Sequence, residues 1–169
     1  MSPVAAQLLS SARTGDGKDE HNTPPEILDR VRKVAPIAYD PCPGVGDVVG
    51  AASRMIGEDG LLESWTARAD GGLCWVNWPY SMSAPWANKA TREANAGCSI
   101  IALTAARPDT RWWRAMWNAA DAVAFWRGRI KFLGSKSCAP FPSALFALNV
   151  SQRRFRAAFG DAAEIVCPS

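Results

Sequence analysis

The spacing of apolar positions predicts helices and strands that alternate along most of the chain. Apolar residues three or four positions apart predict helices, which are residues 24–35, a brief 48–56, 85–96, a segment that Asp109 caps, and 151–159. Short apolar runs predict strands, which are residues 37–40, 73–76, 99–104, 121–126, 129–133 and 144–149. Because strands crowd together near the end, we expect an α/β fold with a mostly parallel sheet and an antiparallel edge hairpin.

The first helix has a clear start signal. Thr23 offers a capping hydroxyl, two prolines follow it, and Glu26 comes three residues after the threonine. Upstream, glycines near position 16 break any helix that begins earlier. We therefore expect residues 1–20 to form a flexible arm and residues 21–169 to form a single domain, since this length suffices for one core.

Composition bounds the class of protein. With 48% apolar and 21% charged residues, the chain has the composition of a soluble globular protein. It contains neither a signal peptide nor a long apolar run, so we expect a cytoplasmic protein without a membrane partner. Five isolated cysteines without a CxxC pair, together with a single histidine, predict neither a disulfide framework nor a metal site.

Charge and aromatic content leave a nucleic-acid partner open. The formal net charge of +3 permits such binding without requiring it. Most of the excess lies in residues 107–156, which form either a surface that faces phosphates or an ordinary solvated face. The first interpretation predicts that Arg153, Arg154 and Arg156 contact nucleic acid. The eight tryptophans are expected mainly in the core or its rim, although flat rings also suit base stacking.

Two loops follow predicted strands, where ligands of open α/β sheets bind. The first loop runs from Asp40 to Gly46, and its glycines, Gly44 and Gly46, let the backbone approach a ligand closely. Asp40 can accept hydrogen bonds from a cation or an amine. No Gly-Lys-Ser/Thr is present, so this is not a Walker phosphate loop. A plain turn between a strand and a helix is the alternative interpretation.

The second loop is Asn77-Trp78-Pro79-Tyr80. The amide oxygen of Asn77 and the carbonyl oxygen of Trp78 can both accept hydrogen bonds from one amino group. Pro79 has no N–H and holds the turn rigid, while Tyr80 can lie flat on an aromatic ring. This arrangement suits a site that grips the amino group of a planar base. The alternative is a rigid turn after a core strand.

Together the two loops resemble those of the amino-methyltransferases, which carry Asp-Pro-x-x-Gly-x-Gly after one strand and Asn-x-Pro-Tyr after a later one. More narrowly, the chain resembles the phage-type DNA N-6-adenine methyltransferases, a short Dam-like family, from about residue 19 to residue 148. The matching residues are Asp19, Thr23-Pro24, Asp40, Asp59-Gly60-Leu61, Trp65, Asn77, Pro79-Tyr80-Ser81, Gly128-Arg129-Ile130, Phe132 and Phe141-Pro142-Ser143-Ala144-Leu145.

This resemblance implies a Rossmann-like methyltransferase fold with helices on both faces of the sheet. It implies a site-specific enzyme that transfers a methyl group from S-adenosylmethionine to the exocyclic amino group of adenine in DNA, after the base leaves the duplex. The residues implied to bind the cofactor are Thr23, Pro24, Asp40, Pro41, Cys42, Gly44, Gly46 and Asn77. Those implied to hold the adenine are Asn77, Trp78, Pro79 and Tyr80. It also implies a phage or prophage protein acting in a bacterial host.

Several points stay open beside the resemblance. Trp78 stands where the family usually has a first proline; since that position supplies a carbonyl, we expect a change of Trp78 to proline to be tolerated. The candidates for binding the cofactor ribose are Glu58, Asp59 and Glu63. His21 is expected at the surface or the start of the helix, without a role as a base. Alternative acceptors are cytosine or a protein glutamine, and the competing class is an inactive or weak nucleic-acid-binding module of the same fold.

Overall fold

The computed structural model describes residues 21–54 and 59–168. The predicted arm of residues 1–20 and the ribose candidate Glu58 lie outside these ranges. The helices are α1 (Pro25–Val34), α2 (Trp65–Ala69), α3 (Ser83–Asn95), α4 (Arg111–Ala119) and α5 (Gln152–Phe159). The strands are β1 (Ile37–Asp40), β2 (Ser53–Arg54), β3 (Leu73–Asn77), β4 (Ser99–Ala105), β5 (Ala122–Trp126), β6 (Ser143–Leu148) and β7 (Ala163–Val166).

The seven strands form one sheet in the order β2-β1-β3-β4-β6-β5-β7. Strands β2, β1, β3 and β4 pair in parallel, whereas β6 is antiparallel to both β4 and β5. Strand β7 is antiparallel to β5 and closes that edge. The expected α/β fold is therefore confirmed, with a parallel centre and antiparallel strands at one side. The antiparallel strand β6 is inserted between β4 and β5, so β5 runs in the same direction as the parallel strands.

Helices cover both faces of the sheet, as the resemblance implied. Alternate strand residues point to opposite faces, so Trp75 joins the apolar cluster with α1 and α5, and Val76 joins the cluster with α3 and α4. In α1 the residues Ile27, Val31 and Val34 are all buried in the first cluster. No helix within residues 21–54 and 59–168 has the length and apolar content needed to cross a bilayer.

Two predicted elements are wrong. The brief helix over residues 48–56 does not form in its described part, because Ser53–Arg54 is strand β2 beside β1. Residues 129–133 form a loop, although Ile130 and Phe132 are buried there. Their apolar alternation reflects two anchored side chains, and the segment pairs with the chain only through one isolated bridge between Asn22 and Leu133. The sequence analysis also missed α2 and β7.

The caps of two helices differ from the prediction. Pro24 is the N-cap of α1, and no side chain caps this helix; the Thr23 hydroxyl accepts a hydrogen bond from Asn77 instead, at 3.1 Å. Helix α4 is capped by Thr110, whose Oγ1 accepts from the backbone N–H of Trp113 at 3.3 Å, and not by Asp109. The helix positions themselves agree with the prediction.

The side chain of Trp78 is a core residue. It is 1% exposed, belongs to the apolar cluster beneath α3 and α4, and donates from Nε1 to Ser83 Oγ at 3.2 Å. Ser83 in turn donates to the Tyr80 carbonyl at 2.9 Å, which ties the indole to the turn that follows β3. The expectation that Trp78→Pro is tolerated is therefore wrong, because a proline would leave a large cavity in this cluster.

We expect Trp78→Pro to lower the free energy of unfolding by about 3–5 kcal/mol, the usual cost of removing a buried aromatic side chain. Thermal or urea unfolding followed by circular dichroism measures this difference. The control is Trp112→Ala on α4, since Trp112 is only partly buried and should cost much less. Equal losses for the two variants would contradict the assignment of Trp78 to the core.

Candidate active site

The two loops singled out in the sequence meet at one edge of the sheet. Asp40 ends β1 and Asn77 ends β3, and these two strands are parallel neighbours. Their carboxyl ends therefore lie side by side, at the edge where open α/β sheets bind ligands. We refer to it below as the carboxyl edge.

The amide of Asn77 is held in one orientation. Its Nδ2 donates to the His21 carbonyl at 2.5 Å and to Thr23 Oγ1 at 3.1 Å. A backbone carbonyl can only accept, so the atom facing it must be the nitrogen and not the oxygen. The other end of the amide, Oδ1, is buried and has no hydrogen-bond partner in the described part of the chain. Burying an unpaired acceptor costs about 1–3 kcal/mol, which suits a group that awaits a ligand donor.

The segment before α1 joins this amide to both neighbouring loops. Asn22 Nδ2 donates to the Val45 carbonyl at 3.0 Å, and its own carbonyl accepts from the Leu133 N–H at 2.9 Å. A Cβ on Gly44 would overlap the Asn22 side-chain oxygen, so a larger residue there would displace the Asn22 amide from the loop. The sequence analysis missed Asn22; its place directly before Thr23 was the one available signal.

The loop after β1 has an open tip and a buried carboxyl at its base. Asp40 is 2% exposed and accepts from the Cys42 N–H at 3.0 Å. Burial raises the pKa of Asp40 to about 7; the Cys42 N–H opposes this shift, and the charge of Asp47 adds to it. At the tip, Gly46 has a φ of +72°, a left-handed conformation that favours glycine.

Cys42 lies in this loop and is excluded as a nucleophile. Burial, with smaller contributions from the charges of Asp40 and Asp59, raises the pKa of the Cys42 thiol well above its usual value. The thiolate is the reactive form, so this thiol is inert near neutral pH.

Within residues 21–54 and 59–168, no group of three or more His, Cys, Asp or Glu side chains is placed to hold a metal ion.

The structure separates the two described ribose candidates. The Glu63 carboxylate accepts a hydrogen bond from the Tyr39 hydroxyl and forms an ion pair with Arg68 at 2.8 Å. These contacts tie Glu63 to β1 and α2. Asp59 accepts from the Leu61 N–H through Oδ1 at 2.9 Å, whereas its buried Oδ2 has no partner among the described residues. A Cβ on Gly60 would overlap the Pro41 carbonyl, so this close contact places Asp59 beside the loop after β1.

Tyr80 stands in an aromatic cluster. Its ring lies 5.2 Å from that of His21, 6.2 Å from that of Phe132 and 5.1 Å from that of Phe141. His21 also stacks on Phe132 at 4.7 Å. The Tyr80 hydroxyl is buried without a hydrogen-bond partner in the described chain, and burial raises its pKa. His21 lies shortly before the start of α1, one of the two positions expected for it, and it is partly buried, since its ring packs here and its carbonyl holds Asn77.

The remaining predicted residues fall into two groups. Pro79 stays in the turn, where its carbonyl accepts from the Met82 N–H at 2.9 Å, so the turn is rigid as expected. Trp78 can offer only its backbone to the site, because its side chain lies in the core. Pro24 is the N-cap of α1 directly after Thr23, and Pro41 is buried in the loop after β1.

The basic residues divide between the two edges of the sheet. Arg153 and Arg154 lie in the first turn of α5, which follows β6 at the edge opposite Asn77, because Leu148 pairs with Ile100 near the start of β4. That position does not support the predicted contact with nucleic acid. The loop between β5 and β6 belongs to the carboxyl edge and carries exposed cations without ion pairs in the described chain, which are Arg129, Lys131 and Lys136.

Comparison with known families agrees with this geometry. The family model of DNA N-6-adenine-methyltransferase (Dam) matches residues 14–143, which is most of the chain. The matched range includes the segment at Thr23, both loops of the carboxyl edge and the whole aromatic cluster. A search among curated proteins found no match. Because the matched range exceeds half of the sequence, the chain belongs to the DNA N-6-adenine-methyltransferase (Dam) family.

Proposed function

We propose that this protein uses S-adenosylmethionine to methylate the exocyclic amino group of adenine in DNA at specific sites. The observation that carries the proposal is the oriented amide of Asn77, whose buried Oδ1 has no partner. An amino group is the donor that such an oxygen lacks. We assign this function to one methyltransferase domain over residues 21–169. The resemblance to phage-type enzymes supports a phage or prophage origin and action in the cytoplasm of a bacterial host.

The proposed catalysis depends on two hydrogen-bond acceptors for the adenine amino group, Asn77 Oδ1 and the Trp78 carbonyl oxygen. The lone pair of an adenine amino group is conjugated with the ring, which makes the nitrogen a poor nucleophile. Acceptors that hold its two N–H groups favour the pyramidal nitrogen, and they bind it most strongly in the transition state. When bound, the cofactor would supply an activated methyl group, with its sulfonium sulfur as the leaving group. Asn77 Oδ1 and the Trp78 carbonyl would hold the amino nitrogen that accepts the methyl group, and the proton released from that nitrogen would pass to solvent.

The residues beside the loop after β1 fit this cofactor. Asp40 and Asp59 provide two carboxyl groups, one for an ammonium group and one for ribose hydroxyls. Gly44 and Gly46 keep side chains out of the loop tip, so the backbone can approach the ligand. Thr23 and Pro24 lie between this loop and Asn77, since Thr23 bonds to Asn77 while the preceding Asn22 bonds to the loop.

The target base has to leave the duplex to reach this edge. Tyr80 offers a ring for stacking, and the rings of Phe132 and Phe141 support it at interplanar angles of 63° and 83°. The competing interpretation, an inactive binding module, rested on Trp78. That residue fills the core and leaves its carbonyl in the turn, so it gives no support to loss of turnover.

We expect Asn77→Ala to lower the rate of methyl transfer by about a hundredfold or more, the scale observed when one preorganised polar contact to a reacting group is lost. Cofactor affinity should change little. Single-turnover transfer of labelled methyl groups to unmethylated duplex DNA measures the rate. Label appearing in cytosine, or in a glutamine-containing protein and not in DNA, would redirect the assignment.

The matched control for Asn77→Ala is Asn149→Gly. Asn149 also donates from its side chain to two carbonyls, those of Ala94 and Cys98, but it follows β6 at the opposite edge. Glycine suits its left-handed φ of 52°. Per folded molecule, this control should transfer methyl groups at the wild-type rate. If Asn77→Ala does so as well, the mechanism fails.

Tyr80 provides a separate test of base capture. We expect Tyr80→Ala to weaken DNA binding and slow turnover, because a lost base stack costs about 1–3 kcal/mol. Tyr80→Phe should keep the stack, and it should be as stable as the wild type or more stable, since it removes a buried hydroxyl without a partner. Steady-state kinetics and thermal melting of both variants measure these effects. Equal activity of Tyr80→Ala and the wild type would remove Tyr80 from the base site.

The raised pKa of Asp40 predicts a pH dependence for the cofactor. Only the ionised carboxylate attracts an ammonium group, and the ligand-free pKa is about 7. Affinity should therefore be greatest above pH 7 and fall roughly tenfold for each unit below it. Calorimetric titration with S-adenosylmethionine measures this. Asp40→Asn should bind weakly without the pH dependence, whereas Asp47→Asn should keep it with a lower midpoint. A wild-type affinity that is constant from pH 5 to 8 would contradict the role of Asp40.

A further inference from the structure

A second feature of the carboxyl edge has no role in the proposed mechanism. A groove of about 580 Å³ lies between the first turns of α4 and the end of β5. We call it the α4 groove, and the lining residues that matter here are Thr110, Arg111, Arg114, Trp117 and Phe125. It is on the face covered by α3 and α4, whereas the Asn77 amide points to the other face.

One wall of the α4 groove is aromatic. The rings of Trp117 and Phe125 are 6.5 Å apart at an interplanar angle of 44°, and both side chains are only partly buried. Behind them the buried Trp113 contacts Phe125 at 6.0 Å and fixes its position. A wall of this kind can take the face of any nucleobase by stacking.

The rim of the α4 groove carries more positive than negative charge, because Arg111 and Arg114 line it beside the single carboxylate of Asp109. Arg111 and Arg114 are exposed, and neither forms an ion pair within the described residues. The nearby carboxylate of Asp109 already faces Arg107 at 3.4 Å. Two free guanidinium groups beside a stacking wall match a nucleotide, which combines a flat base with a phosphate.

The strand register gives the in-sheet distance between Asn77 and the end of β5 beside the α4 groove. Asn77 is level with Leu103 on β4, which is level with Leu145 on β6 and then with Ala124 on β5. Three strand spacings separate Asn77 from Ala124, or about 14 Å. Phe125, the next residue, belongs to the groove. A stacked strand advances about 3.4 Å per nucleotide, so about 14 Å corresponds to roughly four nucleotides, and the crossing to the other face of the sheet lengthens this path.

We propose that the α4 groove binds an unpaired nucleotide of the substrate strand that flanks the target adenine, with its base stacked on Trp117 against the edge of Phe125 and its phosphate at Arg111 and Arg114. The site takes any base and favours DNA that is single-stranded there, because a paired base cannot reach the wall. The proposal names a preferred substrate and rests on the proposed action on DNA.

Binding of a fluorescent, single-stranded thymidine oligonucleotide tests this groove without any adenine to methylate. We expect Arg111→Ala/Arg114→Ala to weaken binding at least tenfold at low salt and to reduce the salt slope by roughly 1.4, the value for two lost contacts to a single strand. Trp117→Ala should weaken binding at least fivefold with the slope unchanged, and Trp117→Phe should restore most of the affinity.

The matched control is Arg153→Ala/Arg154→Ala, which removes the same charge from the opposite edge and should change affinity less than twofold. Equal weakening by both double variants would overturn the proposal, as would full affinity in a folded Trp117→Ala protein or tighter binding to a thymidine–adenine duplex than to the single strand. Methyl transfer to adenine-containing DNA is measured separately. Its absence would refute the proposed function, while the oligonucleotide results would still decide the groove.

Discussion

The candidate site depends on one constraint, the fixed orientation of the Asn77 amide. The His21 carbonyl cannot donate, so it selects the amide nitrogen, and Thr23 takes the second N–H. The amide oxygen is thereby left buried, without a partner in the described chain, at the end of β3. This orientation exists only because the segment before α1 crosses the carboxyl edge, held by Asn22 to the loop after β1 and to the loop after β5. The loop after β1, the turn after β3 and the aromatic cluster are thus joined through three consecutive residues, His21, Asn22 and Thr23.

Much of the fold follows from local pattern. The apolar spacing of α1, α3, α4 and α5 and the apolar runs of β1, β3 and β4 are strong enough to predict these elements, since each buries one face or both. The failures have non-local causes. Strand β2 has two residues and forms only because β1 offers a partner, while residues 129–133 have a strand-like alternation but meet a single bridge. Periodicity reports which side chains are buried and not which backbone they pair with.

The sequence predicts the position of site residues that directly follow a buried strand. It does not predict whether a side chain beside the site points into the site or into the core. Asp40 and the turn from Asn77 to Tyr80 lie where the sequence analysis placed them, because the strand ends determine their position. Trp78 was misjudged, since nothing in its spacing tells whether the indole enters the base pocket or the core. His21 acts through its backbone carbonyl, which every residue type possesses, so sequence alone gives no signal for its role. Asn22 acts through its carbonyl and its side-chain amide, and its place before Thr23 is the only signal for it.

Cations with and without acidic partners among the described residues are found in different parts of the structure, and several without partners lie at the carboxyl edge. Several cations on the helical faces of the sheet and at the β7 edge have acidic partners: Arg30 pairs with Asp161, Lys89 with Glu93, and Arg127 with Glu164. The cations without partners in the described chain at the carboxyl edge are Arg111, Arg114, Arg129, Lys131 and Lys136. Paired charges contribute little to a long-range field, whereas unpaired ones on one edge add up. A formal net charge of only +3 is then compatible with a phosphate-binding surface, because five of the cations without partners in the described chain lie at the edge that also holds Asn77.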